Sequence, residues 1–192
     1  MKKLFSLLIV LLIIPFSCNA DTVFSIDGEW FSALTYSTMG ASAKLSENGD
    51  LIATLRDTEL TFHPNGIIEY PGEIINSEVL ELSEDAFLFY ILEENAINGY
   101  LLIRSKEENF KCYMVTAPAL LLLINGKAIR YGSGETADYM RVDDWLYMTD
   151  KKSYSRGKIK EYGNNMFIYF IETEQEEERV PMMVFVRSTA VQ

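Results

Sequence analysis

The sequence predicts an all-β protein, a single antiparallel meander closing into a barrel with one or two short helices. Short segments rich in Val, Ile, Tyr, Phe and Thr recur along the whole chain, and these residues favour strands. Asn-Gly pairs, which favour hairpins, lie between several of these segments. No long helical pattern separates the strands as it would in a parallel βαβ sheet.

The N-terminus has the order of an export signal. Two lysines precede an apolar run at 4–16, which ends in Ser17-Cys18-Asn19-Ala20. The run is too short and wrongly flanked for a stable membrane span. We therefore expect export, to the periplasm or the outer cell surface.

Two processing routes stay open. Cleavage after Ala20 would remove 1–20 and release 21–192 as a soluble chain. Alternatively, "PFSC" is similar to a bacterial lipobox, in which case 1–17 would be removed and Cys18 would carry a lipid. That lipid would be the only membrane anchor.

Length, charge and cysteine count narrow the function classes. About 170 residues follow the signal, the size of one domain, which we place at 21–192. The chain has 17 basic and 28 acidic residues and a formal charge of −11, so a nucleic-acid partner is not expected. Cys112 is the only cysteine beyond the signal region and has no partner for an internal disulfide.

The predicted strands follow one another along the mature chain. They cover 28–36, 51–55, 59–63, 67–70, 86–92, 99–105, 110–116, 119–124, 127–131, 156–162, 166–172 and 180–187.

Four Asn-Gly pairs, at 48–49, 65–66, 98–99 and 125–126, predict tight hairpins between antiparallel neighbours. Two stretches, 72–84 and 135–148, fit either a helix or a strand, because short runs are not separated by periodicity alone. In the second, Tyr139, Val142 and Leu146 fall on one helical face. These stretches are the candidates for the short helices.

Two strands are apolar on both faces. In 86–92 and 166–172, large apolar residues occupy both parities, although a strand with one face in water should alternate. One explanation is that a helix, a terminal segment or a second subunit covers the outer face. The other is a barrel lined for an apolar ligand, whose lining candidates are Phe87, Phe89, Phe167, Tyr169 and Ile171.

Three motifs resemble a known family. "IDGEWF" is similar to the first-strand Gly-x-Trp signature of lipocalins and bacterial lipocalin-like domains, and "LTFHPNGIIEYPG" resembles a hairpin common in the latter. Arg187, at the end of the last predicted strand, stands where the family places an arginine over that tryptophan. The resemblance covers 24–188 and implies an up-and-down barrel with a ligand-capable mouth.

The physical chemistry of Trp30 and Arg187 can be stated directly. A guanidinium stacked on a buried indole gains about 0.5 to 2 kcal/mol, depending on its desolvation. We expect this pair to join the first strand to the last and close the barrel.

Catalytic and metal-binding candidates are scarce. His63 is the only histidine, and we place it in an exposed hairpin turn. Cys112 alternates with other apolar residues and is predicted to be a core thiol. The acidic residues at 143–144 and 172–178 lack the spacing of a calcium loop. We expect no enzyme activity, no metal and no cofactor.

Two functions follow from these patterns. The first is an exported, non-catalytic protein that holds a small apolar or amphipathic ligand in a β-barrel. The second is an envelope-tethered structural or interaction module whose apolar strand faces meet a partner protein.

Overall fold

The computed structural model describes residues 24–93, 96–106, 109–173 and 180–191. The predicted export signal and the lipidation candidate Cys18 lie outside these residues. The all-β prediction is confirmed, because the described chain forms seventeen strands and only two short 3-10 turns, Ser37–Met39 and Ser188–Ala190.

The strands belong to two sheets. In chain order they are β1 Gly28–Tyr36, β2 Ala41–Leu45, β3 Leu51–Leu55, β4 Thr58–Phe62, β5 Ile67–Tyr70, β6 Glu73–Asn76, β7 Glu78–Ser83, β8 Ala86–Glu93, β9 Ala96–Lys106, β10 Asn109–Ala117, β11 Ala119–Ile124, β12 Lys127–Arg130, β13 Thr136–Val142, β14 Trp145–Thr149, β15 Tyr154–Tyr162, β16 Met166–Ile171 and β17 Pro181–Arg187.

The first barrel consists of β1 and β11–β17 and is closed. Each strand pairs with its neighbour in this series, and β17 returns to pair antiparallel with β1. This arrangement is the predicted up-and-down meander, with a long insertion after its first strand.

That insertion, β2–β10, forms a nine-stranded antiparallel sheet that curls into a nearly closed second barrel. Its strands pair in sequence order except for β6 and β7, and β10 pairs with β2. The free edges of this sheet are β6 and β7, which are separated only by Ser77. They follow each other in the chain, the first paired with β5 and the second with β8. The first barrel is thus the predicted closing meander, and the sequence did not predict the second sheet.

The two barrels share an apolar interface. It contains residues from both sheets, among them Leu88 and Leu101 of the second barrel and Ile168 and Val184 of the first. These four side chains are buried. The interface explains the strands that are apolar on both faces: one face fills its own barrel and the other packs against the neighbouring barrel. The cover is thus another part of the same chain.

Several local predictions are confirmed. Strands 28–36, 51–55, 67–70 and 119–124 have the predicted bounds. Asn125-Gly126 is a two-residue hairpin with positive φ at both positions, 49° and 77°. The pairs at 48–49 and 65–66 also connect antiparallel strands, in longer loops where only the glycine has a positive φ.

Two open alternatives are decided and one local prediction is wrong. The segments 72–84 and 135–148, which fitted either a helix or a strand, contain strands β6, β7, β13 and β14 and no helix. The pair Asn98-Gly99 lies inside β9 rather than in a turn. A Cβ at Gly99 would lie 2.0 Å from the Phe89 carbonyl oxygen. This glycine is therefore required by the close approach of β8 to β9, not by a turn.

Candidate functional site

One end of the first barrel is sealed by the segment that precedes β1. Phe24 and Ile26 pack into the apolar interior with Trp30, and the Trp30 indole Nε1 donates to the Ile26 carbonyl oxygen at 2.8 Å. The Arg141 guanidinium lies 5.5 Å from the centroid of the Phe24 ring. This end is closed by a plug of aromatic side chains.

The contact predicted between Trp30 and Arg187 is present at this end. The two residues are opposite each other in the β1–β17 ladder, and Cζ of Arg187 lies 4.1 Å from the indole centroid. The guanidinium also donates to the carbonyl oxygens of Ser25, at 2.8 Å, and Asn164, at 3.0 Å. Burial lowers the pKa of Arg187. Its contacts join the plug, β1 and β17.

The lining candidates of the first barrel are packed side chains. Phe167 and Tyr169 are fully buried. The Phe167 ring stacks on Phe185 at 4.4 Å and meets the Trp30 ring edge-on at 4.9 Å. Ile171 packs half-buried against the same cluster. None of the three lines the four cavities described below.

Phe87 and Phe89 lie inside the second barrel. Both line a cavity of about 220 Å³ at the end that carries the β2–β3 and β4–β5 turns. Phe89 also borders a cavity of about 200 Å³ beside Ser77, the residue between β6 and β7. These two candidates therefore adjoin two of the four cavities, and those of the first barrel adjoin none of the four.

The largest of the four cavities opens at the other end of the second barrel. Its volume is about 690 Å³, within the range of small-molecule sites. The lining is mainly apolar and comes from β1–β5, β9, β10 and the connections between them: Thr35, Met39, Gly40, Ala41, Thr54, Leu55, Arg56, Thr58, Leu60, Tyr70, Tyr100 and Met114.

Two tyrosines supply a polar contact in the wall of this cavity. The hydroxyls of Tyr70 and Tyr100 are hydrogen-bonded to each other. Burial raises the pKa of Tyr70, and the nearby Cys112 and Glu73 raise it further, so the phenol is neutral at physiological pH. Two hydroxyls bonded to each other use one of their two protons. The other proton is available to an acceptor on a ligand.

A further cavity lies in the first barrel at the end away from the Trp30 plug. Its volume is about 470 Å³, and it is bordered by Leu121, Ala128, Ala137 and Met148 together with charged residues of the adjoining turns. Among these, Arg130 is paired with Glu135 at 3.7 Å. The acidic segment 174–179, part of the predicted carboxylate cluster, lies outside the described residues.

Cys112 and His63, the candidate nucleophile and base, are held in place by packing and by contacts with carboxylates. Cys112 is buried, as predicted, and burial raises the pKa of its thiol to about 12, so it is protonated and unreactive. His63 is half-buried rather than exposed, which corrects the prediction. Its Nδ1 lies 2.8 Å from Asp50 Oδ1 and its Nε2 lies 3.3 Å from Glu69 Oε1. These contacts connect the β2–β3 turn to β5.

Neither a metal cluster nor a transmembrane helix is found in the described part of the chain. No group of three or more His, Cys, Asp or Glu side chains there is placed to hold an ion. No helix of these residues has the length and apolar character needed to span a bilayer.

Most of the lining of the largest of the four cavities was not predicted from the sequence. Leu55, Leu60 and Tyr70 lie within or at the ends of predicted strands, but nothing local shows which face is interior. The position of Arg56 in a turn could have been predicted, because Arg56-Asp57 lies between two short predicted strands where a hairpin turn is expected.

The fold and the cavity define a protein with a closed eight-stranded antiparallel barrel and a nearly closed barrel of nine strands inserted after its first strand, with an apolar cavity opening at one end of the inserted barrel. Comparisons of this chain with protein-family models, with curated proteins and with solved structures found no match.

Proposed function

We propose that this protein is an exported, non-catalytic binding protein that holds a small apolar or amphipathic molecule in the second barrel. The cavity of about 690 Å³ carries the proposal. Removing apolar ligand surface from water stabilises a complex by about 25 cal/mol per Å², and the buried Leu60 with the half-buried Leu55 provides such a surface. The predicted signal and the lipocalin-like motifs support the same function.

The second barrel is the better ligand site for a geometric reason. The interior of the first barrel near Trp30 is occupied by packed aromatic rings of the described residues, and the cavity of this barrel lies at its other end. In the second barrel the rings of Phe62 and Tyr100 meet at 5.3 Å, and Tyr100 borders open space. The aromatic core of the second barrel therefore forms the inner wall of the proposed ligand site.

A neutral hydrophobic probe tests this proposal. N-phenyl-1-naphthylamine should bind with a rise in fluorescence and raise the melting temperature of the protein. Ala41→Phe places a ring in the cavity, since Ala41 lines it. We expect affinity to fall about tenfold, because losing ~60 Å² of apolar contact costs about 1.4 kcal/mol.

The matched control is Ala137→Phe. Ala137 is also a half-buried alanine on a strand, but it borders the cavity of the first barrel. This variant should bind the probe like the wild type. A reversed result would move the site to the first barrel, and no binding to the wild type would favour the interaction module.

A further inference from the structure

Among the described residues, Arg56 has no hydrogen-bond or ion-pair partner, and it lies at the mouth of the largest of the four cavities. It lines that cavity and is exposed. The other arginines in the described ranges have partners: Arg104, Arg130, Arg141 and Arg156 pair with carboxylates, and Arg187 with carbonyl oxygens. In a chain with a formal charge of −11, a guanidinium left unpaired at a cavity mouth is unusual.

The backbone at Arg56 adds a second observation. Arg56 and Asp57 form the β3–β4 turn with φ values of 47° and 67°. Left-handed positions of this kind favour Asn, Asp and Gly over long side chains. The comparable turn at Asn125-Gly126 has the favoured residues. An arginine in a disfavoured backbone conformation beside a cavity points to a functional side chain.

We propose that the cavity takes an anionic amphiphile, whose head group binds the Arg56 guanidinium and whose alkyl chain enters the second barrel. The proposal rests on the proposed function, since it assigns a ligand class to the same site. Guanidinium forms two parallel hydrogen bonds with a carboxylate or a phosphate. Leu55 and Leu60 border the path of the chain, and Met39 and Met114, 60% and 64% exposed, lie at the opening.

The methionines suit an aliphatic ligand. Their flexible, polarizable side chains adapt to varied apolar shapes, and exposed methionines at a rim can close over a bound chain. The Tyr70–Tyr100 pair would then meet the chain inside the barrel. An amphiphile bound in the opposite orientation would place its head group on these hydroxyls. The experiment distinguishes the two orientations.

Three ligands with the same alkyl chain test the head group. Dodecanoate, monododecyl phosphate and dodecanol are titrated below their micelle concentrations by calorimetry, against the wild-type protein. We expect at least one anion to bind about tenfold more tightly than the alcohol, as charge-assisted hydrogen bonds require. Comparing dodecanoate with the phosphate shows which anion the site prefers.

Variants of Arg56 locate the effect. Arg56→Asn removes the charge while fitting the positive φ, so its fold should be preserved. It should lower the affinity for the preferred anion about tenfold and leave the affinity for dodecanol unchanged. Arg56→Lys should restore part of the affinity for the anion. The control Arg156→Gln makes the same change in net charge at an exposed ion pair outside the cavity, and it should bind all three ligands like the wild type.

Three results would overturn the proposal. If the three ligands bind equally to the wild type and to Arg56→Asn, the preference for an anionic head group is wrong, but the carrier function stands. Anion binding that is weakened by Tyr70→Phe and not by Arg56→Asn would place the head group at the tyrosines. If no ligand binds to the wild type at any accessible concentration, the proposed function itself fails.

Discussion

Burial sets the chemistry of individual side chains in this protein. Cys112 is inaccessible to water, and its pKa is raised by desolvation from 9.0 to about 12. The pKa of Tyr139 is raised from 10.0 to about 12, mainly by desolvation and then by its hydrogen bond to Asp27. Both groups are neutral in the folded protein well above the pH at which they ionise in the unfolded chain.

The raised pKa of Cys112 predicts a loss of stability at alkaline pH. Below pH 9 the thiol is protonated in both states, and its contribution to stability is fully present. Between pH 9 and about 12 the unfolded chain releases the proton while the folded protein retains it, so the free energy of unfolding falls as pH rises. Urea unfolding at a series of pH values measures this slope.

Cys112→Ala is the variant for this prediction. Its slope between pH 9 and 12 should be shallower than that of the wild type, although the remaining tyrosines with raised pKa, such as Tyr139, still contribute. The slope is compared rather than the absolute stability, because the substitution also removes buried volume. Identical slopes in the two proteins would contradict the assignment.

At the scale of elements, the first barrel is closed by the pairing of β1 with β17. Arg187 covers Trp30 across this ladder and reaches the carbonyl oxygen of Ser25 in the N-terminal plug. A Cβ at Gly28 would lie 2.5 Å from Nη1 of Arg187, so the glycine leaves room for the guanidinium. The contact connects residues near opposite ends of the described chain.

A double-mutant cycle tests the energy of this contact. We expect Trp30→Phe and Arg187→Met each to lower the free energy of unfolding, with losses that are not additive because both delete the same contact. The coupling should be at least about 0.5 kcal/mol. Trp30→Ala should cost about 3 to 5 kcal/mol, as other large truncations in cores do.

A pair on the same ladder serves as the control for the cycle. Leu34 is exposed and lies opposite Met183. Leu34→Ala with Met183→Ala should show a smaller coupling than Trp30 with Arg187. Strict additivity at Trp30 and Arg187 would leave their proximity as packing without a specific interaction, and would weaken the lipocalin-like reading of this strand.

At the scale of the whole molecule, the second barrel is inserted into the first in the chain and shares an apolar interface with it. The first barrel depends on β1 being held beside β11 and β17, although β2–β10 intervene in the chain. Buried residues of both barrels, including Leu88 and Ile168, form that interface. We therefore expect the two barrels to unfold together.

Two optical probes test this expectation. Both tryptophans, Trp30 and Trp145, are in strands of the first barrel, so their fluorescence reports on that barrel. Far-ultraviolet circular dichroism reports on strands of both. The two urea transitions should coincide, as in a two-state protein. A circular dichroism transition that begins before the fluorescence changes would show that the second barrel unfolds independently.

An interface substitution extends this test. Ile168→Ala should destabilise the protein by about 2 to 5 kcal/mol and shift both transitions by the same amount. Met140→Ala, at an exposed position on β13, is the control and should shift neither appreciably. A shift in the fluorescence transition alone would contradict a shared folding unit.

The sequence by itself determined the local features of this protein. Strand composition predicted the all-β class and the bounds of β1, β3, β5 and β11. Alternation around Cys112 predicted a core thiol, and the Gly28-Glu29-Trp30 motif with Arg187 predicted a contact that the structure contains. Each of these predictions depended on neighbours in the chain or on a recognisable motif.

The tertiary structure alone decided which faces met each other and where space remained. Residues 86–92 and 166–172 were recognisably apolar on both sides, but only the docking of two barrels identified what covers them. The cavity beside Tyr70 and Tyr100 likewise depends on strands brought together from distant parts of the chain. Strand propensity is a local property, whereas barrel closure and the voids it leaves arise from contacts between residues far apart in sequence.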